Sequence, residues 1–173
     1  MANFPADFDL RTPVLPTDKI LIDNITTGVT EYTTVQKLLD LINFNGTKYW
    51  SCAGLHFDAN QPDTEDITKG FDGTVTANGD GIMILAHVNL PHGATVTSAI
   101  VYGNGTAEAE SWVLRRVKLS DLTTFNLGGA NINTADVTIT LGVIDNSLYG
   151  YYIYTSTLDT GDIINGARIT YTI

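Results

Sequence analysis

Four tyrosines, Tyr149, Tyr151, Tyr152 and Tyr154, fall in the short stretch LYGYYIYTST. Side chains alternate along an extended chain, so Tyr152 and Tyr154 share a face with Leu148 and Gly150. Tyr149 and Tyr151 share the opposite face with Ile153. Exposed rings on one face stack on sugars or form a protein interface. Equally, strands favour tyrosine, and one of the two faces packs on a core. Both readings stand at this stage, and the four tyrosines are the candidate ligand-facing aromatics.

Other residue types offer less chemistry. His56, His87 and His92 are far apart in sequence and read as structural or surface residues. Asp58, Asp63, Glu65 and Asp66 crowd one polar stretch, and hard oxygen ligands on a loop suit calcium. The EF-hand register fails, however, with Pro62 at the third ligand position and Lys69 where a bidentate glutamate belongs. The segment reads as a solvated acidic loop, with a calcium role left open. The sequence contains no Gly-x-Ser-x-Gly, no His-Glu-x-x-His and no phosphate-binding loop, since GNGTAE lacks the lysine and following helix. No catalytic residue, metal or cofactor is expected. Arg115 and Arg116 are neighbours on one strand and must point to opposite faces, so one of them is a candidate for burial or for pairing with a carboxylate. Arg168 sits in the last strand.

Composition narrows the partners. Nineteen acidic residues stand against nine Lys and Arg, a formal charge of −10 over 173 residues. Without clustered cations there is nothing to release phosphate counterions, so nucleic acid and anionic membranes are excluded as expected partners. Hydrophobic residues reach 43%, enough for a core. Cys52 is the only cysteine and reads as an inert core residue. The first residues have neither a basic n-region nor an apolar h-region, so a leader is not expected.

These residues must be positioned by elements of two kinds. Residues 1–16, with Pro5, Pro13 and Pro16, read as an extended arm whose Phe4, Phe8, Leu10, Val14 and Leu15 lie on another surface. Residues 19–23 and 29–32 form a hairpin. Thr33 and Thr34 stand at a helix N-cap, and Thr33-x-x-Gln36 fits a capping box. Val35, Leu38, Leu39 and Ile42 then fall on one helical face, flanked by Leu41. So short a helix is marginal in water and needs a partner surface. From residue 47 the composition turns β-branched and aromatic, with turn residues recurring. Strands are expected at 48–57, 71–77, 81–90, 94–102, 110–119, 136–143, 148–157 and 167–173. Residues 58–70 read as a loop, and NGDG as a hairpin turn. About eight strands without intervening helices predict a mainly β fold, an antiparallel β-sandwich or jelly-roll. The division is a 1–46 attachment or oligomerisation segment and a 47–173 sandwich.

Two stretches resemble known proteins. PTDKILIDNITTGVTEYTTVQKLLDLI resembles a recurrent module near the N-terminus of tailed-bacteriophage fibre and head-decoration proteins, through Asp18, Ile20, Ile22, Gly28, Thr34, Leu38, Leu39 and Ile42. NLPHGATVTSAIVYGN, WVLRRVKL and DIINGARITYTI are similar to β-sandwich domains of phage and bacterial surface proteins. Leu90, Pro91, Gly93, Ala94, Val96, Tyr102, Leu114, Arg116, Gly166, Ile169 and Tyr171 carry that match. The resemblance implies a non-enzymatic virion structural protein, a short head fibre or decoration protein on the virion surface, made in the host cytoplasm. It implies a homotrimer bound to a capsid or other virion protein through its N-terminal region. Val35, Leu38, Leu39, Leu41 and Ile42 are the expected assembly interface. The alternative is a carbohydrate-binding or host-recognition module that grips a host-surface glycan through the tyrosines. A glycan-cleaving or lipolytic enzyme is a third reading, without a motif behind it.

Overall fold

The computed structural model describes residues 19–24, 29–34 and 46–173. The arm, the helix and the assembly residues Val35, Leu38, Leu39, Leu41 and Ile42 lie outside the described residues. The chain divides into two compact units, residues 1–45 and 46–173. In the first, β1 (Lys19–Asn24) and β2 (Val29–Thr34) form an antiparallel hairpin with Leu21 opposite Tyr32. β2 runs through Thr33 and Thr34, the two residues expected to cap a helix.

The second unit is an antiparallel sandwich. Its front sheet has the order β10–β9–β11–β7–β4, built from β4 (Asp58–Ala59), β7 (Ile84–Val88), β9 (Ser111–Lys118), β10 (Thr124–Asn131) and β11 (Tyr149–Thr155). The back sheet is centred on β12 (Ile163–Thr172). One flank of β12 pairs with β8 (Thr95–Gly103). The other pairs first with β6 (Val75–Ala77), at Ile163 and Ile164, and then with β3 (Lys48–Ala53) from Gly166 onward. β5 (Ile67–Lys69) pairs outside β6.

Alternation selects the core. Ile84, Ala86 and Val88 on β7, Trp112 and Leu114 on β9, and Tyr151, Ile153 and Thr155 on β11 face inward and are buried. All but Thr155 join Val75, Ala77, Val96, Val101, Ile164 and Ile169 of the back sheet in one hydrophobic cluster. Trp112 is fully enclosed, and its indole N–H donates to the Thr134 carbonyl at 3.1 Å, so its polar atom is satisfied in the core. Gly166 sits at a register shift of β12 with φ +152°, where a Cβ would lie 2.3 Å from the Cys52 carbonyl oxygen. Only glycine suits this bulge.

Several expectations are corrected. Residues 58–70 contain two short strands, β4 and β5. β10 was not expected, because its glycines, Gly128 and Gly129, hide the strand pattern. NGDG does not close a hairpin. β6 and β7 belong to opposite sheets, and the turn carries the chain between them. Residues 136–143, which read as a strand, form only isolated bridges, Asp136 with Ala99 and Val143 with Thr95. Asp136 diverts the backbone with local bonds, accepting the Thr138 N–H and hydroxyl, both at 2.7 Å. Leu141 at φ 53° then breaks the extension.

This segment has a structural task instead. Toward β8, Val96 N–H donates to Gly142 O at 2.9 Å, and Ala99 exchanges backbone bonds with Asp136. Toward β10, Thr140 N–H donates to Leu127 O at 2.8 Å, and Gly129 N–H donates to the Asp136 carboxylate at 2.9 Å. It therefore clasps the β8 edge of one sheet to the β10 edge of the other, covering strand edges that would otherwise invite foreign pairing.

Burial pushes the Asp136 carboxyl up, but the bonds donated by Thr138 and Gly129 outweigh it and hold the group below the ordinary carboxylate range. A carboxyl depressed on folding contributes stability that is complete above its unfolded pKa, about 4, and is lost as pH falls through the folded value. Asp136→Asn should therefore lower the urea midpoint at neutral pH and make its decline in acid shallower than that of the wild type. Identical acid slopes for the two proteins would show that this carboxylate does not tie the edges together.

Candidate functional site

The outer face of the front sheet carries the other half of each strand's alternation. Register places Asn126 opposite Arg115, Arg115 opposite Tyr152, and Tyr152 opposite His87. Four strands thus present one transverse row: Asn126, Arg115, Tyr152, His87. The next row sets Val113 beside Tyr154 and Tyr154 beside Leu85. Beneath Tyr152, Gly150 opposite Val117 leaves the face open.

The rows border two adjoining hollows. One, of about 350 Å³, is lined by Asn60, Met83, Leu85, Arg115, Tyr152 and Tyr154 among others. The second, of about 330 Å³, shares Asn60, Leu85 and Tyr152 and extends past His87 to Val117 and Gly150. Tyr152 therefore stands between them. Its ring lies 6.0 Å from that of Tyr154, tilted by 39°. Neither lining contains a carboxylate.

Arg115 is held in place. Its Nε donates to Asn126 Oδ1 at 2.8 Å and its Nη2 donates to the Tyr154 hydroxyl at 2.6 Å. The guanidinium carbon lies 4.6 Å from the centre of the Tyr154 ring. The groove thus combines apolar ring surface, a rigid cation, an amide and an imidazole.

The four candidate tyrosines separate by face. Tyr152 and Tyr154 line the groove. Tyr151 is turned into the core, 3% exposed, and its hydroxyl accepts the Asp145 N–H at 2.8 Å. Tyr149 packs edge-on against Tyr151 at 6.5 Å and beneath Arg116, whose guanidinium carbon lies 4.1 Å from the ring. Arg116 is also 5.1 Å from Phe125, and its buried Nε has no hydrogen-bond partner. The adjacent arginines do face opposite ways: Arg115 serves the groove, while Arg116 lies between aromatic rings on the inner side.

Residue types alone did not single out Arg115, Asn126, His87, Leu85 and Asn60 as one site. The signal was the shared alternation of β7, β9 and β11, which needs the pairing order before it becomes a surface. His56 and His92 are exposed, and His92 Nδ1 accepts the Asn146 N–H at 3.2 Å. The acidic loop is largely engaged by the protein. Asp58 pairs with Lys69, Asp66 accepts the Asn78 amide at 3.0 Å, and Glu65 accepts the N–H groups of Gln61 and Met83. Among the described residues no three His, Cys, Asp or Glu side chains gather as a metal-binding group. Cys52 is half-buried, and burial pushes its thiol pKa up.

No protein-family model matches the sequence, and the search of curated proteins returns no match. Among solved structures the chain is similar to a xylan-binding module CBM15, at 17% identity and a TM-score of 0.41, covering 72% of this chain and 97% of that one. It is also similar to the C-terminal CBM6 of LamC, a marine laminarinase from Zobellia galactanivorans, at 14% identity and a TM-score of 0.43, covering 71% and 99%. A family two carbohydrate esterase from Cellvibrio japonicus superposes at 8% identity and a TM-score of 0.34, with 74% of this chain against 35% of the enzyme. Superpositions this loose say nothing of a ligand, and the chemistry of the groove stands on its own residues.

The opposite faces of β11 make a sharp contrast between neighbours. Tyr151→Phe strands the Asp145 N–H and should cost about 1 kcal/mol of unfolding free energy. Tyr152→Phe on the groove side should stay within about 0.5 kcal/mol of the wild type. Urea titrations of the two variants measure both, and equal losses would contradict the division of faces.

Proposed function

We propose that residues 46–173 form a non-catalytic glycan-binding module whose ligand lies along the front-sheet groove. The observation that carries this reading is the in-register row Asn126–Arg115–Tyr152–His87 beside the Tyr152–Tyr154 ring pair. A sugar ring has apolar C–H faces and a rim of hydroxyls. Tyrosine rings match the faces, and amide, guanidinium and imidazole groups match the rim. Cleavage of a glycosidic bond by the common route needs two carboxylates across the bond, and the groove lining supplies none. Binding without cleavage suits the residues present.

A glycan array probed with the full-length protein should give a defined set of hits. Calorimetry on the best hit should show Tyr152→Ala weakening binding about tenfold or more, as for a central aromatic anchor. An empty array, or a Tyr152→Ala variant that binds as well as the wild type, would remove this reading.

Where the module acts is a second proposal, supported by the division of the chain into units 1–45 and 46–173 together with the phage-like sequence of the first. In it, the first unit attaches to a tailed-phage particle and trimerises through the segment bearing Leu38 and Ile42, while the sandwich is displayed on the virion surface. Light scattering on the full-length protein should give a trimer mass, and electron microscopy should find the protein on the particle. A monomer at micromolar concentration would count against this arrangement.

A further inference from the structure

The unusual member of the groove is Arg115. The chain holds nineteen acidic residues against nine Lys and Arg, so an arginine would be expected to find a carboxylate. Lys69 pairs with Asp58 and Lys118 with Asp121, but Arg115 forms no ion pair with a described carboxylate. Its two partners, Asn126 Oδ1 and the Tyr154 hydroxyl, are neutral. They orient the guanidinium without neutralising it. Asp58 and Glu65, on segments beside the groove, are already occupied by Lys69 and by backbone N–H groups. A guanidinium has five N–H donors, so three remain after these two bonds. A planar fork with free donors, half-buried against a ring, is the arrangement that grips a carboxylate with paired charge-assisted bonds.

We infer that the groove selects acidic glycans, chains containing uronic acid, and that Arg115 receives the sugar carboxylate while Tyr152 stacks on the ring. This rests on the glycan-binding reading above and names the ligand class of that same site. The net charge of −10 does not oppose it at contact range. At physiological ionic strength charges more than about 8 Å away are largely screened, and the unpaired cation beside the ligand dominates. The two tethers also mean that the side chain is already ordered before the ligand arrives.

The test is calorimetry with full-length protein against three oligosaccharide sets: uronate-containing chains, sulfated chains, and neutral chains of the same linkage. The variants are Arg115→Gln and Arg115→Lys, with circular dichroism as a check on folding. The inference expects the uronate chains to bind best. It expects Arg115→Gln to lose about tenfold or more on them, Arg115→Lys to retain part of the affinity, and the loss on neutral chains to be clearly smaller than the loss on uronates in Arg115→Gln. Tighter binding of sulfated than uronate chains, with the same loss in Arg115→Gln, would overturn the carboxylate assignment. Neutral chains bound as tightly as uronates, and insensitive to both variants, would overturn the role of Arg115 but leave the glycan-binding reading standing. Failure of all three sets would overturn both.

Discussion

Everything on the front sheet depends on the two-residue period of β11. The strand is hydrogen-bonded on both flanks, by β9 and β7, so it has no freedom to rotate. Its odd residues, Tyr151, Ile153 and Thr155, are locked in the core. Tyr152 and Tyr154 then have nowhere to go but outward. A slip of one residue would put two hydroxyl-bearing rings into the core and expose Ile153, a change that burial forbids. The groove is therefore not an independent feature. It is the reverse side of the packing that holds Trp112, Leu114 and Ile153 together. The same logic extends to β9, where Leu114 inside obliges Arg115 to stand outside beside Tyr152.

Closure of the sandwich uses a different device. A five-stranded sheet leaves edges, and here the β8 and β10 edges lie on different sheets. Residues 136–143 reach both, bonding to Val96 and Ala99 on one side and to Leu127 and Gly129 on the other. Leu141 takes a left-handed conformation, which costs an L-residue on the order of 1 kcal/mol. Bonds on both flanks of it, from Thr140 and Gly142, offset that cost. Val137, Leu141 and Val143 stay exposed while Ile139, of the same parity, packs against the core, a split that a single strand face would not show. On β10 the clasp holds Gly129 and Leu127, the latter next to Asn126 and its tether on Arg115.

Much of the fold was legible because turns and alternation announce themselves. Pro91 and Gly93 mark the entry to β8, and Gly93 does adopt φ +82°. Ile84, Ala86 and Val88 alternate with Leu85 and His87, so β7 could be read directly. Illegible parts had local causes. The eight residues of β10 include two glycines and one bulged position, Leu127, which turns inward between Asn126 and Gly128. Residues 136–143 alternate like a strand, but Thr138 captures the Asp136 carboxylate through its N–H and hydroxyl. Asn-Gly at 78–79 looked like a hairpin, yet the chain crosses between sheets there because β6 and β7 each find other partners. The site was half legible. The tyrosine faces followed from alternation, whereas the row across four strands needed the pairing β10–β9–β11–β7, which no local pattern encodes.

The back sheet offers a second hollow to set against the front groove as the place for the proposed ligand. Arg168 on β12 also lies near two tyrosines, Tyr49 at 5.7 Å and Tyr102 at 5.8 Å. The hollow there, about 440 Å³, is larger, and Tyr102 and Arg168 line it together with Ser51, Cys52, Gly166 and Ala167. Volume favours the back and order favours the front. Arg168 is exposed at ring distances more than 1 Å longer than the 4.6 Å of Arg115 to Tyr154. Ordering a rotamer-rich side chain on binding costs about 0.5–1.5 kcal/mol. Arg168 would incur that cost for each ligand bound, whereas Asn126 and Tyr154 have already restrained Arg115 when the protein folds. Two similar sets of residues thus differ in what folding has done for them, and this favours the smaller front groove.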